Sequence, residues 1–188
     1  MSVGTVELFY GLLALVAVAV VIALLVLRAA ALVAPAAADA WDATVHALAP
    51  GAIPMAFVVA LLATAGSLYF SEVAHFEPCR LCWYQRIAMY PLVVILGLAT
   101  LRRDRSGAVY GLALALIRAV VSAYHVLLEW FPSLDGGTCD PANPCTLLWF
   151  RVCGFISLPT LALSAFLLIA TLLAIRLVAT DESLEEVS

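Results

Sequence analysis

Five cysteines stand in a chain of 188 residues, and four of them fall into two close pairs: Cys79 and Cys82 as C-x-x-C, then Cys139 and Cys145 in Thr-Cys-Asp-Pro-Ala-Asn-Pro-Cys. Thiols at these spacings suit three kinds of chemistry: structural staples, a zinc site, or an electron relay by thiol–disulfide exchange. A four-cysteine zinc site needs all four thiolates in one closed knuckle, and the wider C-x5-C gap with its two prolines suits that poorly. A relay instead requires one pair prepared for thiolate chemistry and placed beside an acceptor. Cys79 and Cys82 carry those marks. Pro78 precedes them, and a long apolar helix is expected from near Trp83, which puts Cys82 at or near a helix N-terminus. There the unpaired N–H groups and the dipole favour an anion and lower a thiol pKa. Arg86, four residues on, shares the helix face of Cys82 about 6 Å deeper by one helical pitch. A guanidinium there can hold both a thiolate and an oxygen of the acceptor; the plainer alternative is an arginine snorkelling to lipid headgroups. Trp83, Tyr84 and Gln85 add rings and donors at the same level. Tyr90-Pro91 is expected to kink the helix and open a gap between helices.

The elements that must position these residues are membrane spans. The chain is 65% hydrophobic and only 12% charged, with a mean hydropathy of +1.11; soluble domains hold roughly 45–50% apolar residues and about 25% charge. Five apolar segments, Phe9–Leu27, Met55–Tyr69, Trp83–Thr100, Leu112–Trp130 and Phe155–Leu177, approach the roughly 20 residues a spanning helix needs. None alternates with period two, so helices are expected and not strands. The first segment lacks a basic region before it, which favours a span over a cleaved signal peptide. The net charge of −4 comes largely from Asp181, Glu182, Glu185 and Glu186, and all nine basic residues are scattered arginines, so a nucleic-acid partner is not expected.

Arg102, Arg103 and Arg105 crowd the turn between the third and fourth segments, which the positive-inside rule makes cytoplasmic. Alternation then puts Ser71–Cys82 and Phe131–Gly154 outside, against the weaker counter-signal of Arg80 and Arg151, and Arg28, Arg176 and the acidic C-terminus inside. All four paired cysteines thus fall on the side where disulfides persist. Residues 29–54 form an Ala-rich connector broken by Pro35, Pro50 and Pro54. Asp39, Asp42 and His46 recur there at helical spacing, opposite Val33, Trp41 and Val45, as in a helix lying in the membrane interface; a linker without a role is the plainer reading.

Several stretches carry a family resemblance: Gly66-Ser-Leu-Tyr-Phe-Ser-Glu72, Pro78-Cys-Arg-Leu-Cys-Trp-Tyr-Gln-Arg-Ile-Ala-Met-Tyr-Pro-Leu92, His125 with Glu129, the Cys139…Cys145 loop, and Gly154-Phe-Ile-Ser-Leu-Pro159. Over about Pro54–Leu177 the sequence resembles the disulfide bond formation protein B family, and more closely its BdbC-type branch with a short second loop. The resemblance implies an all-α integral membrane four-helix bundle over 54–178, here with one additional N-terminal transmembrane helix in 1–53 and an acidic cytoplasmic tail in 179–188. It implies a plasma-membrane thiol:quinone oxidoreductase with Cys79, Cys82, Cys139 and Cys145 as the redox residues. Cys139 and Cys145 would accept electrons from a thioredoxin-like thiol oxidase of the DsbA or BdbD kind and pass them to Cys79 and Cys82. Cys82 would deliver them, with Arg86, to a membrane quinone, ubiquinone or menaquinone. Such systems keep the bacterial periplasm oxidising through quinone.

Around the acceptor we group Arg86, Cys82, Gln85, Trp83 and His125, and no metal. His125 and Glu129, at i,i+4, are candidates for delivering the protons that quinone reduction consumes; an interfacial hydrogen-bonded pair is the plainer alternative. His75 and Glu77 read as solvated loop residues, and Arg118 as either a snorkelling or a functional intramembrane charge. Cys153 is expected as a buried free thiol at the start of the last helix, although it could compete with Cys139 for Cys145. Two other readings stand beside the oxidase. One is a quinone reductase resembling vitamin K epoxide reductase, in which the C-x-x-C follows the loop pair instead of preceding it. The other is a non-catalytic scaffold or transporter with stapled loops.

Overall fold

The computed structural model describes residues 2–185, with side chains through residue 179. The tail expected over 179–188 therefore lies mostly outside the described side chains, and 186–188 lie outside the described residues. Six α-helices run in chain order: α1 (Val3–Ala31), α2 (Pro35–Leu48), α3 (Ala52–Leu68), α4 (Arg80–Arg102), α5 (Ser106–Trp130) and α6 (Leu158–Glu185). Among the described residues, five helical stretches are long and apolar enough to cross a membrane. The expected all-α membrane architecture is what the chain adopts.

Helices α3 to α6 close a bundle in which α3 packs on α4, α4 on α5, α5 on α6 and α6 back on α3. Its centre is filled by Ala56 and Ala60 of α3, Leu92 and Leu96 of α4, Ala115 of α5, and Phe166, Ile169 and Leu173 of α6, all buried. Alanine and glycine on the inner faces allow close approach, as membrane interfaces need. A Cβ on Gly111 would sit 2.9 Å from Leu173, so α5 and α6 meet there at backbone distance. The turn from α4 to α5 is tight. Arg103 adopts the left-handed conformation (φ 54°), and Asp104 accepts from the Ser106 backbone and hydroxyl, which holds its carboxyl below the usual range.

The connector forms a helix, although Val33, expected on its apolar face, lies before it and is exposed. Pro35 opens α2, Trp41 and Val45 are buried against Leu24 of α1 and Ile175 of α6, and Asp39, Asp42 and His46 stay exposed. Arg28 lies over the Trp41 ring at 5.5 Å. A short 3-10 turn, Ala49–Gly51, passes directly into α3. Helix α1 stands outside the four-helix core and packs on α6 and α2. At its other end Tyr10 covers Gly66 of α3, whose added Cβ would lie 2.6 Å from the ring, and the Tyr10 hydroxyl donates to the Leu62 carbonyl at 3.2 Å.

Two features differ from the sequence expectation. Helix α4 begins at Arg80, not near Trp83, because Cys79 itself serves as the N-cap and Cys82 lies within the first turn. Pro91 sits inside a continuous α4, and neither it nor Tyr90 lines the cavity beside the cysteines.

Candidate redox site and acceptor cavity

Cys79 takes extended backbone dihedrals, and its Sγ accepts the Cys82 backbone N–H at 3.3 Å. A side chain that fills the N-cap role satisfies one of the orphan donors of the first helical turn, and a thiolate does so best. The Cys79 and Cys82 sulfurs are 2.9 Å apart as free thiols. Cys79 also faces the His125 Nε2 at 3.7 Å. The Cys82 S–H bond and His125 together hold the Cys79 thiol far down, to about 4, against the opposing effect of burial. The N-cap position and His125 both favour an anion on the Cys79 sulfur.

The second loop is drawn onto this pair. Cys139 and Cys145 are joined in a disulfide. Arg80 Nη1 donates to the Thr138 carbonyl at 2.9 Å, and the Asn143 side chain donates to the Pro78 carbonyl at 3.3 Å. Between the pairs lies His125, 2% exposed. Its Nδ1 faces the Gln85 amide nitrogen at 3.3 Å and its Nε2 the Cys145 carbonyl at 3.0 Å. An amide N–H only donates and a carbonyl only accepts, so both contacts are met by one neutral tautomer, protonated at Nε2. Cys79, Leu81, Leu128, Cys139 and Cys145 pack as one buried cluster.

On the other side of Cys82 lies an apolar cavity of about 700 Å³. Cys82, Gln85, Arg86 and Met89 of α4 line it at the cysteine end, with Ser67 and Phe70 below. Arg86, 9% exposed, donates from Nε and Nη2 to the hydroxyl and carbonyl of Ser67 at 3.0 and 2.8 Å. Its Nη1 has no protein partner among the described residues and remains available to the cavity. Phe70 is carried by a π-helical turn, Tyr69–Val73, that widens the end of α3; such turns recur at functional sites. Phe76 stacks between Phe70 and Trp149, at 5.7 and 4.7 Å between centroids, and roofs the cavity.

The residues grouped in advance divide between these two surroundings. Cys82, Gln85 and Arg86 meet the cavity. His125 does not line it and faces Cys79 instead. Trp83 is exposed and touches the site through its ring, 5.3 Å from the Arg86 guanidinium. Glu129 is buried and accepts from the Ser157 hydroxyl. The Arg118 Nε is buried without a partner among the described residues. Cys153 is exposed, contrary to expectation, because Val152 and Ile156 pair across a tight turn that puts Cys153 (φ 53°) at its tip before α6 begins. Sequence reasoning missed Ser67, which anchors Arg86, and Trp149; neither residue type carries a chemical signal alone. Cys79, Cys82 and His125 bring three donor atoms within 4.8 Å of one another. Three donors fall one short of a closed structural zinc site, and among the described residues no fourth joins them.

A helical membrane bundle with a buried C-x-x-C thiol pair facing a loop disulfide defines a membrane thiol–disulfide oxidoreductase. The sequence profile of the Disulfide bond formation protein DsbB family matches residues 50–176, and the chain belongs to that family. It is 50% identical over 114 residues to Disulfide bond formation protein C of Bacillus subtilis, covering 60% of this chain and 83% of that protein. It is 47% identical over 118 residues to a probable disulfide formation protein of Oceanobacillus iheyensis, covering 62% and 81%. No solved structure matches.

Proposed function

We propose that the chain reoxidises an extracytoplasmic thioredoxin-like dithiol oxidase and passes the electrons through Cys139/Cys145 and then Cys79/Cys82 to a membrane quinone. The observation that carries this reading is that two sulfurs 2.9 Å apart face different surroundings: Cys79 meets His125 and the loop disulfide, Cys82 the apolar cavity. Electrons entering on one side can leave on the other.

The exchange steps follow from the geometry. A partner thiolate attacks Cys139, the less buried half of the loop disulfide, and frees Cys145 as the leaving thiolate; the partner's second thiol resolves the mixed disulfide. Cys145, held beside His125, then attacks Cys79 of an oxidised Cys79–Cys82 pair and displaces Cys82. Attack of Cys139 on Cys145 releases Cys79 as a thiolate, for which its N-cap position is prepared. Two electrons and two protons have then passed to the first pair, and the thiol states described above are the product. Re-formation of the Cys79–Cys82 bond gives those electrons up on the cavity side. The cavity volume lies within the roughly 300–1,000 Å³ of small-molecule sites, and its polar groups cluster at one end. Cys82, Gln85 and Arg86 would hold a quinone head there, and the quinone supplies an acceptor for two electrons and two protons. The arginine-rich 102–105 turn supports a topology with the cysteine loops outside and the C-terminus inside.

Cys82→Ser should abolish quinone reduction by a reduced thioredoxin-like partner. In Cys82→Ala/Cys139→Ala, where neither resolving thiol is present, a mild thiol oxidant such as diamide, which takes up the two electrons and two protons, should join Cys79 to Cys145 in a disulfide found by mass spectrometry. Unimpaired turnover of Cys82→Ser would refute the relay.

A further inference from the structure

We propose that α1, the helix outside the family match, is one wall of the acceptor cavity and selects for an acceptor with a long apolar tail. This rests on the acceptor reading above and extends it to the substrate's tail.

The cavity does not end at the thiols. It continues between α1 and α3 to Leu24, Leu48 and Leu172, near the arginine end of the bundle. The cause lies in how α1 is docked. Near the cysteine end Tyr10 sits on Gly66, and Gly11 approaches Val152 so closely that a Cβ would lie 2.8 Å from it. Near the other end Leu24 joins Trp41, Val45 and Ile175. Along its length Ala14, Ala17 and Val21 are buried, Ala14 and Ala17 in the cavity wall, and α1 packs on α6. Between the two anchor points α1 and α3 stand apart, and that space is the cavity.

The α1 residues that line it recur at helical spacing from Tyr10 and Leu13 through Val16 and Val20 to Leu24. The 14 steps from Tyr10 to Leu24 measure about 21 Å at 1.5 Å per residue, most of the roughly 30 Å hydrocarbon core. The one polar side-chain atom in that stripe, the Tyr10 hydroxyl, is already committed to Leu62. The donors sit only beside Cys82. The volume therefore fits a molecule with a small polar redox head and a hydrocarbon tail running toward the far leaflet, and a head alone would leave the stretch toward Leu24 and Leu172 unfilled. The family profile begins at residue 50, so this wall is an addition by this chain to the common bundle.

The test uses the full chain in detergent with prenylated quinones and a tail-free quinone. Val20→Trp fills the tail region, Leu13→Phe is a milder second variant, and Val18→Trp, on a neighbouring exposed position that does not line the cavity, is the control. Val20→Trp should lower the prenylquinone that co-purifies, measured by solvent extraction, and raise the KM for a long-tailed quinone about tenfold, equivalent to about 1.4 kcal/mol. The KM for the tail-free quinone and the quinone-independent thiol exchange with the partner should stay within about twofold of the parent. Leu13→Phe should shift retention and KM in the same direction by less. If Val20→Trp and Val18→Trp behave alike, or long and short tails are affected equally, α1 is only an anchor and the inference falls. Extraction of a phospholipid in place of quinone would also overturn it. If no quinone of any tail length accepts electrons, the acceptor reading itself fails.

Discussion

Replacing His125 with leucine, similar in size but without ring nitrogens, isolates what holds the Cys79 anion. The Cys82 S–H is the larger support of that anion and His125 the next, through the hydrogen bond that its Nε2–H donates. A hydrogen bond to a charged acceptor contributes about 1.5–3 kcal/mol. At 3.7 Å between Sγ and Nε2 the lower end applies. Loss of that bond raises the Cys79 pKa by about one unit at 1.36 kcal/mol per unit. Both forms are ionised at neutral pH, so the same energy makes the Cys79–Cys82 disulfide less oxidising by about 30 mV for a two-electron couple. The measurement uses a chain with Cys139, Cys145 and Cys153 changed to serine, in which the position-145 carbonyl that His125 meets is retained. Thiolate absorbance against pH reads the pKa, and equilibration with a dithiol couple of known potential, followed by alkylation and mass spectrometry, reads the redox shift. The sign is fixed. A folded pKa below the unfolded one stabilises the reduced protein fully above about pH 9, and that stabilisation is lost as pH falls toward about 4. The variant should begin to lose it at a higher pH than the parent. An unchanged midpoint, or a more oxidising pair, would refute the role given to His125.

Arg86→Lys keeps a charge but loses the fork that grips the Ser67 hydroxyl and carbonyl; quinone KM should rise about tenfold while partner thiol exchange is spared, and an equal fall in both half-reactions would make Arg86 structural. Cys153→Ser should leave turnover and the Cys139–Cys145 pairing unchanged in disulfide mapping, since Cys153 is exposed and unpaired at its turn. Gly66→Ala should lower the melting temperature in detergent, because its Cβ would meet the Tyr10 ring at 2.6 Å. Overpacking costs about 1–3 kcal/mol, against the roughly 1 kcal/mol that alanine adds to a helix interior. Tyr10→Leu in the same chain should recover part of that loss, a coupling that independent sites would lack.

The spans could be read from run length alone, because burying so apolar a chain leaves few options, and α2 from the spacing of Asp39, Asp42 and His46. The C-x-x-C followed by an arginine one turn on was equally plain. The start of α4 was not, since Pro78 and two cysteines do not announce which residue caps the helix, a role that falls to Cys79. Proline 91 suggested a gap because its missing N–H weakens a helix, yet α4 continues through it. The true opening lies between α1 and α3. Both helices are apolar on every side, so nothing in their pattern distinguishes a face toward lipid from one toward a cavity. Ser67 could not be singled out because its role is set by Arg86, 19 residues away.

The contact between the first and last spanning helices carries an implication for assembly. As the chain is inserted from its N-terminus, α1 reaches the bilayer long before its main neighbour exists. Its buried residues Ala14, Ala17 and Val21 stay uncovered until α6 arrives. The cavity beside Cys82, walled in part by α1 and α6, is thus the last part of the molecule to be completed, whereas the C-x-x-C and its N-cap are already made when α4 is in place. A truncated or stalled chain would carry the thiol pair without the enclosed space beside it.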